Sequence, residues 1–209
     1  MQAHGRTRRY RGIAEFGGDI AYVARHLRAA SSLTLGRGLT PTFRERLMLV
    51  VTSVNQCRYC AAFHTGVART TGISQDEIKA VLAGVVDDCP EHEALALAYA
   101  RNWAENDGRS DPVIRQQVVD YYGPATAHYI DVTLRMIRIG NLTWNTIDAV
   151  AHRVSGGKIE ETMRRSANRS ISEDQEDLQE DLQAFDDRAN EPSISYKQLR
   201  KELKRYHKI

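Results

Sequence analysis

Apolar positions along this chain recur mostly at helical spacing, three and four residues apart, rather than in alternation. The longest such stretch has Ile130, Leu134 and Ile137 on its apolar side. A second stretch, near Leu95 and Leu97, has a broad face rich in alanine and leucine. The sequence contains no convincing alternating run of the kind that indicates a strand. The pattern therefore predicts an all-α core.

Helix starts are marked by a capping side chain or by a proline. They lie at Thr40–Pro41, at Ser74 with Glu77 three residues on, at Pro90 and at Asp111–Pro112. Asn55 is expected to end the helix that begins at Pro41, or to mark a tight turn. The next helix is expected from about Cys57 to Thr70, with Gly72 just after its end.

Composition changes sharply after the Ser-Gly-Gly run at 155–157. Residues 170–191 carry nine acidic side chains against one basic, and residues 192–209 carry six basic against one acidic. We expect a helical core over 1–154, with roughly the first 14 residues mobile, and a charged, partly helical C-terminal extension over 155–209. A helix in this extension is indicated by an apolar stripe: Ile171, Leu178, Leu182 and Phe185. The alternative is a solvated, partly disordered tail.

The overall charge and hydropathy exclude some classes of partner. A net charge of +2 gives no general attraction to nucleic acid or to membrane surfaces. No apolar run approaches the ~20 residues of a membrane span, and the basic N-terminus lacks the apolar stretch of a secretory signal. We therefore expect a cytoplasmic protein with neither a nucleic-acid nor a membrane partner. In that reducing compartment, a CxxC pair is more often redox-active or metal-binding than structural.

The stretch "VNQCRYCAAFH" holds the candidate chemistry. On a helix, Cys57, Cys60 and His64 project from one face because they are three and seven residues apart. His64 is placed one turn beyond Cys60, where it can exchange a proton with the sulfur. If the preceding helix packs antiparallel, Glu45 lies alongside His64 and orients the imidazole or relays its proton.

Three interpretations of this cluster compete. In the first, the cysteines are small core residues and the histidine has only a structural role. In the second, Cys57, Cys60, His64 and Cys89 bind zinc; however, zinc CxxC pairs usually lie on turns, and the residues after Cys60 are typical of a helix. The third, a dithiol redox centre, is favoured by the CxxC spacing together with a histidine on the same face.

The stretch "ERLMLVVTSVNQCRYCAAFH" resembles the signature of the alkylhydroperoxidase D (AhpD)-like, carboxymuconolactone decarboxylase superfamily. The likeness covers roughly residues 15–152 and does not include the tail after 157. Seven residue types match at fixed offsets, which is far more specific than a bare CxxC: Glu45, Ser53, Asn55, Cys57, Tyr59, Cys60 and His64.

This resemblance implies an AhpD-like helical bundle in a homo-oligomer, often a trimer or hexamer. It also implies reduction of hydroperoxides, or disulfide exchange with a thiol or lipoyl-type partner, without a metal or organic cofactor. Cys60 is implied to attack the peroxide and Cys57 to resolve the product, with Tyr59, Ser53 and Asn55 as supporting residues. Some peroxidase members have histidine where this chain has Tyr59, which is a poorer proton carrier because its pKa is near ~10.

The choice of attacking cysteine can also be argued from the residues. The helix N-terminus favours a thiolate at Cys57, whereas His64 favours Cys60. We choose Cys60 because cleavage of an O–O bond needs a nearby acid as well as a thiolate. Cys60 would then become a sulfenic acid, and Cys57 would condense with it.

The sequence thus predicts an antioxidant enzyme: a thiol-dependent hydroperoxidase or disulfide oxidoreductase. Cys60 and Cys57 would carry the redox chemistry, and Glu45 and His64 the proton relay. Two alternatives remain open. One is a decarboxylase-like acid–base enzyme that uses Glu45 and His64 without the thiols, and the other is a non-enzymatic redox sensor or interaction protein.

Overall fold

The computed structural model describes residues 7–85 and 89–156 of the 209-residue chain. The chain divides into two compact units, residues 1–151 and 152–209. The first unit contains both cysteines of the CxxC pair. The apolar stripe predicted within 171–185 lies outside the described residues.

Within the described ranges the chain forms seven α-helices and no strand, which confirms the prediction of an all-α fold. None of these helices is long and apolar enough to cross a membrane. In chain order the helices are α1 (Ile13–Arg25), α2 (Leu27–Thr34), α3 (Pro41–Asn55), α4 (Arg58–Thr70), α5 (Gln75–Leu82), α6 (Glu91–Glu105) and α7 (Pro112–Ser155).

The predicted capping residues begin three of these helices. The Thr40 hydroxyl accepts a hydrogen bond from the Phe43 backbone N–H at 3.2 Å at the start of α3. Ser74 does the same for α5, and the Asp111 carboxylate does so for α7. Each cap satisfies a backbone donor that has no partner within its helix. The predicted starts are confirmed at these positions.

Helix α3 lies at the centre of the unit and packs against α4, α5 and α6. Leu47, Leu49, Val50 and Val51 have no exposed surface, so the helix is buried on several sides rather than along one stripe. Burying each of these side chains stabilises the fold by about 1.5–3 kcal/mol. The helix that carries Glu45 is therefore held firmly in place.

Helix α7 is interrupted at Gly123, whose φ of 79° and ψ of 159° are not helical. Glycine adopts this left-handed region without the penalty that a Cβ would impose, and Pro124 follows it directly. After this kink the helix continues with Ile130, Val132 and Leu134 fully buried. This second part of α7 is the long apolar helix that the sequence pattern predicts.

Polar and charged side chains join the first helix and the N-terminal segment to α7 and to the turn that precedes it. The buried carboxylate of Asp19 pairs with Arg135 at 2.6 Å and also with Arg138. Tyr10 donates a hydrogen bond to the same carboxylate at 2.9 Å. Arg8 pairs with Asp107 at 2.6 Å. Tyr10 and Arg8 fall in the segment for which the sequence predicts mobility.

Candidate active site

A tight turn between α3 and α4 presents the two cysteines. Helix α3 ends at Asn55, and Gln56 adopts the left-handed conformation with φ 54°. This conformation is uncommon for a residue other than glycine, and it redirects the chain within one position. Cys57 is then the N-cap of α4, and its sulfur accepts a hydrogen bond from the Cys60 backbone N–H at 3.3 Å.

The two thiols are free, nearly buried and in contact. Cys57 is 1% exposed and Cys60 is 7% exposed. Cys57 Sγ donates a hydrogen bond to Cys60 Sγ across 2.7 Å. A covalent S–S bond measures about 2.05 Å, so a small movement of the first turn of α4 would close the pair.

The surroundings of the pair favour a thiolate at Cys60. The hydrogen bond from Cys57, a second from the Asn141 side chain and the positive charge of His64 lower the pKa of Cys60 to about 7, against the effect of burial. Cys57 donates the shared hydrogen bond, and this together with burial raises the pKa of its thiol well above the usual range. Asn141 and His64 lower the pKa of Cys60 independently of Cys57, so they too favour the thiolate at Cys60.

Glu45 holds His64 in a defined orientation. His64 Nδ1 lies 2.7 Å from Glu45 Oε2, and Glu45 is 2% exposed. A carboxylate only accepts hydrogen bonds, so Nδ1 carries the proton and Nε2 is left bare in the neutral ring. The other carboxylate oxygen, Oε1, accepts from Arg44 at 3.3 Å. The structure thus brings Glu45 and His64 together as the helix packing predicts.

Arg44 was not recognised from the sequence. Its guanidinium donates to the backbone carbonyl of Leu33 at 2.5 Å as well as to Glu45. A cation at this position offsets the cost of burying the Glu45 carboxylate. Because Arg44 directly precedes Glu45, no spacing pattern distinguishes it from a surface arginine.

A buried amide from α7 completes the surroundings of Cys60. Asn141 has no exposed surface, and its side chain donates to Thr52 Oγ1 at 3.2 Å. Its oxygen accepts from Asn55 Nδ2 at 3.1 Å. Asn55, a supporting residue in the sequence interpretation, is therefore linked to Cys60 through Asn141. The sequence gives no sign of this because the two segments lie far apart in the chain.

Of the other two supporting candidates, Tyr59 lines the same cavity as Cys60 and His64, whereas Ser53 does not. The Tyr59 hydroxyl donates to Asp148 at 2.9 Å, and its ring packs against Trp144 with centroids 5.7 Å apart. Burial alone would raise the pKa of Asp148. Hydrogen bonds from Tyr59 and Arg58 outweigh this effect, so the pKa is lowered overall. Ser53 donates to the Val50 carbonyl of its own helix at 2.8 Å and lines a separate cavity. The structure does not bring Ser53 to Cys60.

An apolar cavity of about 380 Å³ opens beside Cys60 and His64. Its volume lies at the small end of the range for ligand pockets. The apolar side chains that line it come from α3, α4 and α7: Met48, Phe63, Met136, Ile137 and Trp144. The thiol and the imidazole therefore face a space suited to an apolar small molecule.

Cys89 lies two residues before α6, and burial raises the pKa of its thiol. It does not join Cys57, Cys60 and His64. The part of the chain that the structure describes, which includes all four residues, contains no group of three or more His, Cys, Asp or Glu side chains placed to hold a metal ion.

The fold and the site define an all-helical protein with a buried CxxC dithiol beside a carboxylate–imidazole pair. Residues 21–106 match the model of the carboxymuconolactone decarboxylase family, which confirms the resemblance inferred from the sequence. The matched range contains Glu45, Cys57, Cys60 and His64, and it ends before Asn141. No curated protein and no solved structure matches the chain.

Proposed function

We propose that this protein is a thiol-dependent hydroperoxidase with Cys60 as the attacking cysteine and Cys57 as the resolving one. The observation that carries the proposal is the position of Cys60. Its sulfur accepts a hydrogen bond from Cys57 at 2.7 Å, while Cys60 and His64 line one cavity. A nucleophile, a resolving thiol and a proton donor are thus available at one place.

In the first step, the Cys60 thiolate attacks the terminal oxygen of a hydroperoxide, ROOH. The S–O bond forms as the O–O bond breaks, and sulfur supplies the two electrons. His64 Nε2 accepts the proton that the Cys60 thiol loses, and the leaving RO⁻ takes this proton from the imidazolium and departs as the alcohol ROH. Glu45 stabilises the imidazolium before this transfer. The products are Cys60 sulfenic acid and ROH.

In the second step, the Cys57 sulfur attacks the sulfenic sulfur of Cys60. The S–S bond forms, the S–O bond breaks, and the hydroxyl leaves with the Cys57 proton as water. Two equivalents of an external thiol, or one dithiol, then reduce the disulfide by exchange. A lipoyl-type reductant, a trimeric or hexameric assembly and a cytoplasmic location stay predictions of the sequence interpretation.

The proposal is tested by a thiol-coupled hydroperoxide assay on the full chain and on three cysteine variants. We expect Cys60→Ser to abolish turnover. Cys57→Ser should react once and accumulate sulfenic acid, because it has no resolving thiol. Cys89→Ser is the matched control and should keep the wild-type rate.

Other outcomes of this assay would favour the alternatives. Peroxide consumption that survives the loss of both Cys57 and Cys60 would contradict the thiol mechanism and point to acid–base chemistry of Glu45 and His64. A wild-type protein that oxidises once and is not recycled by any thiol would be a sensor rather than an enzyme.

A further inference from the structure

One face of α7 forms a wall of the cavity beside Cys60. Met136, Gly140 and Trp144 line it, and because they are four residues apart they lie one above the other on the helix. Gly140 contributes no side chain to this wall. A Cβ built at Gly140 meets no atom within 4 Å outside its own helix, so the space beside it is open.

Neither the backbone nor crowding requires glycine at this position. Gly140 lies within α7 and does not have the positive φ that Gly123 adopts. Glycine in the interior of a helix lowers stability relative to alanine because it loses more backbone freedom on folding. What the missing side chain provides is room in the cavity.

We propose that Gly140 is a specificity-determining residue, and that the space beside it receives the organic group of a hydroperoxide with a compact apolar body, such as an aromatic or branched alkyl group. This inference rests on the proposed function, since the same cavity contains Cys60 and His64. It goes further by naming the part of the substrate that is bound and the residue that admits it.

The shape and chemistry of the cavity support this occupant. With the O–O bond directed at the Cys60 sulfur, the rest of the substrate must occupy the space bounded by Met48, Phe63 and Trp144. These walls offer apolar contacts to an organic group and none to hydrogen peroxide, which has no apolar surface to bury. Binding energy from the non-reacting part of a substrate can then be used to accelerate the chemical step.

The first experiment compares two substrates in the wild type, Gly140→Ala and Gly140→Leu, with dithiothreitol as the reductant. We expect Gly140→Leu to lower kcat/KM for cumene hydroperoxide by roughly tenfold or more, the scale of a pocket that has lost room for part of its ligand. The rate with hydrogen peroxide should change by less than about twofold. Gly140→Ala should give a smaller change of the same kind and should raise the melting temperature.

Gly66→Leu is the matched control. Gly66 lies within α4, is exposed, and likewise has no atom within 4 Å of an added Cβ, but it does not line the cavity. This variant should treat both substrates as the wild type does. Equal losses for both hydroperoxides in Gly140→Leu, or no loss for either, would overturn the inference.

A binding measurement separates this inference from the proposed function. Cumyl alcohol, the alcohol that cumene hydroperoxide would yield, is titrated into Cys60→Ser by calorimetry, which needs no redox chemistry. We expect binding that is lost when Gly140→Leu is added to Cys60→Ser. If the alcohol binds and Gly140→Leu abolishes this binding, but the wild type turns over no hydroperoxide, the peroxidase function is refuted and the role of Gly140 in the cavity is kept. Turnover by the wild type without binding of the alcohol would refute the pocket and retain the peroxidase.

Discussion

His64 Nδ1 and Glu45 Oε2 lie 2.7 Å apart and join α4 to α3. This hydrogen bond fixes which ring nitrogen carries the proton, and it stabilises the ring when both nitrogens carry one. Arg44 holds the second carboxylate oxygen at 3.3 Å, so the carboxylate cannot turn freely. The proton chemistry of the site therefore depends on Glu45, which does not itself line the cavity.

Replacing Glu45 with glutamine should disable the relay while nearly keeping its shape. If the amide oxygen stays on Arg44, the amide nitrogen faces His64 and forces Nδ1 to accept, so the ring proton moves to Nε2. The variant also loses the negative charge that stabilises the imidazolium. We expect peroxide turnover to fall by roughly 10²–10⁴-fold, as measured by the thiol-coupled assay, with the fold retained by circular dichroism.

Glu77→Gln is the control for this experiment. Glu77 is also a shielded carboxylate paired with an arginine, Arg46, at 2.5 Å, but it lies at the start of α5. The Glu77→Gln variant should lose some stability and keep the peroxide turnover of the wild type. A normal rate in Glu45→Gln would remove Glu45 from the mechanism.

The reactivity of Cys60 should depend on pH with a midpoint near neutrality. Its pKa is lowered to about 7, first by the hydrogen bond from Cys57, so the reactive thiolate forms as the pH rises through that value. Below it, alkylation by iodoacetamide should slow by about tenfold per pH unit, and above it the rate should level off. The measurement is made in a Cys89→Ser background and read out by peptide mapping of Cys60.

The Cys57→Ala variant tests whether the hydrogen bond from Cys57 is what lowers the pKa of Cys60. In Cys57→Ala the sulfur of Cys60 loses its largest stabilising contact, and the midpoint should move to higher pH. A wild-type midpoint near the ordinary ~8.5 of a free cysteine, or an unmoved midpoint in Cys57→Ala, would show that the pair does not share its proton in this way.

Asn141→Ala should affect both the thiolate and the fold. It removes a hydrogen bond to Cys60, which raises the pKa of that thiol and slows the reaction with peroxide at neutral pH. It also removes the hydrogen-bond partner of the Thr52 hydroxyl and of the Asn55 side-chain amide, which costs about 1–3 kcal/mol of stability. Denaturant unfolding and the pH profile of alkylation measure the two effects separately.

Asn145→Ala is the matched control for Asn141. Asn145 lies one turn further along α7, is also buried, and donates to the backbone carbonyls of Arg8 and Asn55 at 2.9 Å. It should lose comparable stability without moving the pH midpoint of Cys60. If both variants shift the midpoint alike, the contribution of Asn141 is structural rather than electrostatic.

The sequence was sufficient for the features that depend on local chemistry. Caps such as Thr40 and Ser74 satisfy backbone groups within three residues, so their helices were predictable from short patterns. The shared face of Cys57, Cys60 and His64 follows from helical spacing alone. The approach of Glu45 to His64 needed one further step, the packing of two consecutive helices across a short turn.

Features that depend on distant contacts were not predictable in this way. Asn141 reaches Cys60 only because α7 packs against α3, and no spacing within the sequence encodes that contact. The cavity beside Gly140 is likewise formed jointly by α3, α4 and α7. Ser53 illustrates the converse, since it belongs to the matching signature but donates to its own helix.

The central claim is that Cys57 and Cys60 together consume one hydroperoxide per cycle, and intact-mass analysis tests it most directly. Reduced full-length protein is treated with one equivalent of cumene hydroperoxide and analysed before any thiol is added. We predict the loss of two hydrogen atoms, a disulfide mapped between Cys57 and Cys60, and a free thiol at Cys89. An unchanged mass, or a disulfide that includes Cys89, would contradict it.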